Sequence, residues 1–148
     1  IPQAPGGGSD TIGRYIADKL KDRLGQPVVT ENRPGAAGML GAAAVKRAPA
    51  DGYTLLLGAI DTIVTPLVSR NPPIDGMKDF VPITQLATSH NVWLVGPGFQ
   101  GNSLKDLVAA AKANPGSIDY ASSGFGSMQH LAGAMLSTQA DIKLGHVP

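Results

Sequence analysis

Two stretches hold residue types and spacings that could do chemistry: Ala4-Pro5-Gly6-Gly7-Gly8-Ser9-Asp10, and Ser122-Ser123-Gly124-Phe125-Gly126-Ser127. Three glycines in a row make a poor helix or strand interior, because backbone without side chains loses the most freedom on ordering. Such a loop instead delivers bare N–H groups onto the start of a helix, with Ser9 or Asp10 able to cap it. A helix N-terminus has unpaired donors and carries about half a positive charge. It therefore suits an anion, and a carboxylate is the expected one. The second stretch repeats the device, a strand followed by glycines and capping serines. In open α/β sheets ligands sit at the carboxyl ends of strands.

Sharper chemistries fit less well. A phosphate loop needs a lysine after its last glycine, and none follows Gly8. The dinucleotide fingerprint fits Gly124 and Gly126 but fails at Gln129, and Gly35, Gly38 and Gly41 are wrongly spaced. No cofactor is expected. A nucleophile elbow requires Gly-x-Ser-x-Gly. Tyr120 stands where the first glycine should precede Ser122, and Ser123 has Ala121 and Phe125 where the two glycines should flank it. A serine-type hydrolase using Ser123 with His130 is the alternative reading, with His130 otherwise a structural or ligand-contacting side chain. His90, His130 and His146 lack paired metal-ligand spacing, so no metal is expected.

Composition narrows the classes further. The 148 residues suffice for one domain or a little more. A net charge of +1 without a basic stripe, and only 5% aromatic residues, argue against a nucleic-acid partner. The absence of cysteine removes disulfides, thiolate metal sites and a cysteine nucleophile. No apolar run approaches the roughly 18 residues of a membrane span, so the chain is not expected to be membrane-embedded. It opens on Ile1-Pro2 without Met, so a processed or truncated start is expected.

The elements that must position these loops follow from periodicity. Ile1 suggests the tail of a buried strand. Ile12, Ile16, Leu20 and Leu24 recur along one helix stripe that ends at Gly25 and Pro27. A short strand over 28–30 leads to Gly35-Ala36-Ala37-Gly38 and a helix through Met39 to Arg47. The apolar run 53–57 reads as a strand buried on both faces. Ala59 to Thr62 is then a third loop, with a short helix from Ile63 to Ser69. Extended stretches over 80–86 and 92–95 cross to a second domain near Gly96-Pro97-Gly98. There a capping box at Ser103 opens a helix, and strands over 118–121 and 142–147 flank another helix carrying Leu131, Met135 and Leu136 inward. The alternation predicts an α/β fold with parallel strands.

Six blocks, in order along nearly the whole chain, carry a resemblance. They are Ala4 to Asp10, Leu24-Gly25-Gln26-Pro27-Val28-Val29, Glu31 to Gly38, Ala48-Pro49-Ala50-Asp51-Gly52-Tyr53-Thr54-Leu55-Leu56, Lys112-Ala113-Asn114-Pro115-Gly116, and Tyr120 to Gly124 with His130-Leu131-Ala132-Gly133. Together they resemble the Bug-type periplasmic receptors of the tripartite tricarboxylate transporter family.

The resemblance implies a two-domain periplasmic-binding-protein (Venus flytrap) fold, incomplete here at the C-terminal side, with residues 1–97 as domain 1 and 98–148 as the first part of domain 2. It implies a periplasmic receptor and not an enzyme. The ligand would be a small carboxylate (a di- or tricarboxylate, an amino acid or an aromatic acid) held in an interdomain cleft. Main-chain N–H groups and ordered water would make most contacts. The implied contacts are Pro5, Gly7, Gly8, Ser9 and Asp10 from one loop, Ala59, Asp61 and Thr62 from another, and Ser122, Ser123, Gly124, Ser127 and His130 from domain 2. The implied partners are the membrane components of a tripartite secondary transporter. Asp61 departs from the small uncharged residues usual there, which would disfavour a purely anionic ligand. Family members are about twice this length, so unpaired strand edges and exposed apolar surface are expected.

Overall fold

The computed structural model describes residues 1–148. Contacts divide the chain into two compact units, Ile1–Val81 and Pro82–Pro148. The division falls earlier than the boundary read from the sequence at 97/98, since residues 82–97 group with the second unit. Trp93 in that stretch packs edge-on against Tyr120, with ring centroids 6.1 Å apart.

In the first unit, α1 (Gly8–Leu24) ends at Gly25, whose φ of 65° and N–H to the Lys21 carbonyl make the left-handed cap expected of glycine. Its N-cap is Gly7, not Ser9 or Asp10, which fall inside the first turn. The inward stripe is also displaced. Ala17 is buried and Gly13, Ile16 and Leu20 are partly so, whereas Ile12 and Leu24 are exposed. Gly13 decides this, because the side chains of Ile1 and Leu57 occupy the space where a Cβ would stand.

The loop into α2 (Met39–Lys46) is conformationally expensive. Gly35, Ala36, Ala37 and Gly38 all have positive φ. For an alanine that costs about 1–2 kcal/mol. The turn is repaid by the approach it permits, with Gly41 of α2 against the backbone of buried Pro2 and the Arg33 carbonyl. Ala42 and Ala43 then form the core with Ile74, flanked by Leu56 and Phe80.

Helix α3 (Ile60–Val68) begins at an Ala59 N-cap, so Ile60 to Thr62 form its first turn and not a loop. Pro66 lies inside it and has no N–H to give the Thr62 carbonyl. That carbonyl crowds Gly76, where any side chain would collide with it.

The second unit holds α4 (Leu104–Ala113), β1 (Asp119–Ala121), α5 (Met128–Ala140) and β2 (Gly145–Val147). Ser103 caps α4 as expected: its Oγ accepts from the Asp106 N–H at 3.2 Å and donates to the Asp106 carboxylate at 2.8 Å. β1 and β2 pair in parallel, with Tyr120 opposite His146. Gly133 lies under the Tyr120 ring, where a Cβ would overlap it. Met135, expected inward, is exposed.

The remaining expected strands are extended but unpaired. Residues 28–30, 53–57, 80–86 and 92–95 join no ladder, and the one sheet has two strands. Ile1 exchanges bonds with the 31–33 stretch, its N-terminal amine to the Glu31 carbonyl at 2.7 Å and its carbonyl from the Arg33 N–H at 2.9 Å. That contact is too short to count as a strand pair. A strand needs a neighbour to satisfy its backbone, and Tyr53, 92% exposed, has none. No helix is long and apolar enough to cross a membrane.

Gly41→Ala tests the close approach in the first unit. It adds a better helix former, yet thermal unfolding should show a loss of about 1–3 kcal/mol from overpacking. Gly8→Ala, with open space at its Cβ position, should leave stability unchanged or slightly raised.

Candidate functional site

The first candidate loop is held by one carboxylate. Asp10, 4% exposed, reaches back so that its Oδ2 accepts from the Gly6 N–H at 2.9 Å. The same oxygen accepts from Arg14 Nε at 3.0 Å, and Oδ1 accepts from Asn32 Nδ2 at 2.8 Å. Arg14 continues to Thr30 Oγ1 at 2.9 Å and Asn32 Oδ1 at 2.8 Å. Asn32 also donates to the Gln3 carbonyl at 3.1 Å. Loop, helix and extended edge thus meet at Asp10. The Arg14 guanidinium, then the Gly6 N–H, then Asn32 hold its carboxyl well below the usual carboxylate range.

Asp10 is therefore engaged on both oxygens within its own unit, where the resemblance implied a ligand contact. The N–H groups of Gly8, Ser9 and Asp10, in the first turn, have no acceptor within the helix. Pro5, Gly7 and Ser9 flank them on the surface or near it. Arg14, Thr30 and Asn32 were missed in the sequence. Arg14 follows Asp10 by one helical turn, a readable ion-pair spacing. The Asn32 contact spans 22 positions and becomes visible only in the fold.

Ala59, Asp61 and Thr62 belong to the start of α3: Ala59 is the N-cap, its carbonyl accepts from the Thr62 N–H at 3.0 Å, and Asp61 lies in the first turn. They stand in the same unit as the Gly6 to Asp10 loop.

In the second unit, Ser127 caps α5 and is fully buried, its Oγ accepting from the His130 N–H at 3.2 Å. Ser122 Oγ lies 2.6 Å from His146 Nε2 and accepts from the Gly124 N–H at 3.1 Å. Ser123, exposed, donates to Gln129 Oε1 at 3.0 Å. Gly124 (φ 123°) and Gly126 (φ 79°) supply the left-handed turns that bring these groups together. His130 Nδ1 accepts from the Gly126 N–H at 3.2 Å, which places the proton of a neutral ring on Nε2.

The hydrolase pairing is corrected by this geometry. Ser123 bonds Gln129, and His130 bonds the loop backbone. The serine and histidine that do meet are Ser122 and His146. Yet His146 Nδ1 is buried without a partner, so no acid orients that imidazole as a catalytic base requires. His146 also stacks on Tyr120 with centroids 5.0 Å apart and lies against His130 at 4.3 Å, the two imidazoles tilted by 34°. Burial, then the neighbouring His130, pushes its pKa below the ordinary value. His146 and Phe125 were missed because the ring cluster depends on the parallel register of Tyr120 with His146.

Two pH dependences follow. Asp10 has a depressed folded-state pKa, so its contribution is complete above an ordinary Asp value of about 3.9 and is lost as pH falls below it. Asp10→Asn should lower the thermal midpoint at pH 7 and flatten the acid limb; parallel limbs for both proteins would refute this. His146 is likewise depressed, so stability should fall as pH drops through the unfolded His range near 6.5. His146→Gln should weaken that dependence in a pH series of unfolding midpoints.

Comparison with known proteins gives this arrangement a family. The description "tripartite tricarboxylate transporter family receptor" matches residues 12–148. A Pseudomonas sp. (strain P51) protein from the tcbD-tcbE intergenic region is 37% identical over all of this chain and 44% of its own length. BugT of Bordetella pertussis is 35% identical over all of this chain and 46% of its own. The chain thus spans under half the length of these curated relatives. Among solved structures, an R. palustris protein with adipate superposes with a TM-score of 0.91 at 32% identity, covering 100% of this chain and 50% of that one. The periplasmic binding protein BugD gives 0.80 at 31%, covering 99% and 49%. MatC of Rhodopseudomonas palustris with bound malate gives 0.79 at 28%, covering 100% and 51%. The fold is thus that of an incomplete periplasmic binding protein of this type, and the chain belongs to the tripartite tricarboxylate transporter receptor family.

Proposed function

We propose that this chain is part of a periplasmic solute receptor that binds a small carboxylate and delivers it to the membrane components of a tripartite transporter. The observation that carries the reading is the family match over residues 12–148, joined to relatives solved with adipate and with malate. The two loops supply a chemical rationale. Each opens a helix: the first-turn N–H groups of Gly8, Ser9 and Asp10 have no acceptor within α1, while in the second loop the Gly124, Gly126 and His130 amides are bonded internally and Ser123 presents an exposed hydroxyl. Donors of this kind suit a carboxylate and require no cofactor. Asp10 acts here as the brace of its loop, Ser127 as the cap of its helix, and His130 as an anchor of the Gly126 backbone. Ser122 meets His146, but no acid partners the Nδ1 of that imidazole, and binding without turnover is the activity proposed.

The test is calorimetric titration of the full-length protein with a carboxylate panel including adipate and malate. Gly8 is the first residue of α1, a position where proline is tolerated and only an orphan N–H is lost. Gly8→Pro and Ser123→Ala should each weaken the same acid by about tenfold, the scale of a hydrogen bond to a charged group. Unchanged affinity in both variants would overturn the assignment of these loops. Ester hydrolysis abolished by Ser123→Ala would overturn the receptor reading itself.

A further inference from the structure

We infer that His130 is a proton-sensitive latch on the loop between β1 and α5, and that acid opens this loop. For its effect on binding, the inference rests on the carboxylate-binding reading above. The latch is a variant of the capping box. In the usual form the N-cap hydroxyl accepts from the amide of the third helical residue, whose Glu or Gln side chain reaches back to the amide at the cap. Here Ser127 is the cap, and its Oγ accepts from the His130 N–H at 3.2 Å. His130 is the third residue of α5, and its Nδ1 reaches back one residue further, accepting from the Gly126 N–H at 3.2 Å. An imidazole thus stands where a glutamine would not titrate.

That difference makes the acceptor proton-dependent. Nδ1 accepts only in the neutral ring, because both nitrogens of an imidazolium are donors. A proton on His130 therefore ends its bond to Gly126 and sets two N–H groups against each other. It also places a cation in the first turn of α5, at the positive end of the helix dipole. The surroundings do not offset that charge. His146 lies 4.3 Å away, and a charge on His130 opposes one on His146. The loop and the rest of α5 carry no other ionisable side chain, and β2 carries only His146. β1 brings Tyr120, whose hydroxyl donates to the His130 carbonyl at 3.1 Å, and Asp119, whose carboxylate lies beside Gly145. His130 is bonded to Gly126 and His146 to Ser122, neither of them to a carboxylate. Release of the loop to water accommodates the charge. Phe125 passes the movement along the loop, since its ring meets both imidazoles, at 5.2 Å and 4.9 Å. The exposed Ser123 hydroxyl moves with it, and the carboxylate is held less tightly.

The test follows hydrogen exchange at the Gly126 amide of the full-length protein by NMR, from about pH 8 to about pH 5, across the imidazole range. Exchange is expressed as protection relative to a free chain at the same pH. Gly126 protection should fall about tenfold in acid, the scale of one hydrogen bond, while the amide of Ala111, buried in α4, keeps its own. His130→Gln keeps an acceptor that does not titrate and should hold Gly126 protection level throughout. Calorimetry with adipate at about pH 8 and about pH 6 should show His130→Gln gaining about tenfold in affinity over the unmodified protein at the lower pH; the acid's own titration is common to both and cancels. Level Gly126 protection in the unmodified protein, or the same fall in His130→Gln, would overturn the latch and leave the carboxylate receptor standing. A constant affinity ratio would overturn its effect on binding. Failure of adipate and every other carboxylate to bind at either pH would overturn the receptor reading, and the exchange profile would still decide the latch.

Discussion

The carboxylate of Asp10 ties together three segments that have little else in common. It fixes the Gly6 amide of the loop, the Arg14 side chain of α1 and the Asn32 amide of the extended edge. A run of glycines has no preferred conformation of its own. Without an internal brace, the backbone ahead of α1 would sample many arrangements, and its N–H groups would point nowhere in common. Asp10 supplies the brace from within the first turn of the helix, where a negative charge is also favoured by the helix dipole. Arg14 offsets that charge, so an approaching anion meets a paired carboxylate and not a bare one.

The second unit solves the same problem with rings and hydroxyls in place of an ion pair. Ser127 caps α5, and His130, one turn later, returns its Nδ1 to the Gly126 amide. Ser122 and His146 close the other side. In both loops most polar side chains are engaged internally, but only the first turn of α1 leaves main-chain donors without an intrahelical acceptor; the Gly124, Gly126 and His130 amides of the second loop are bonded within it.

The helices and their caps were legible because the signals are local. Gly25 and Ser103 announce their helix ends within a few residues. The start of α1 was misread by two to three residues because Ser9 and Asp10 are both favoured caps. The stripe of α1 was misread because Gly13, which looks neutral in a hydrophobic count, is the point where Ile1 and Leu57 press closest. The serine loop was found from its own residues, but its imidazole partner was not. His146 comes to Ser122, 24 residues before it, through the parallel pairing of β1 with β2, and spacing along the chain does not encode that contact.

The expected strands differ from the expected helices for a physical reason. A helix satisfies its backbone within one segment, so α1 to α5 form wherever the local pattern and one packing face allow. A strand satisfies its backbone only through a neighbour. β1 and β2 have each other across a single α5 crossover, and they form the one sheet. The run 53–57 and the stretches 80–86 and 92–95 have the apolar composition of buried strands, yet Tyr53, Val81 and Leu94 are exposed. Composition records the surroundings a segment is suited to, while pairing depends on which partners the chain supplies. Relatives more than twice as long have more chain from which to supply them. The two candidate loops are less sensitive to that difference, because each is braced by bonds within its own unit.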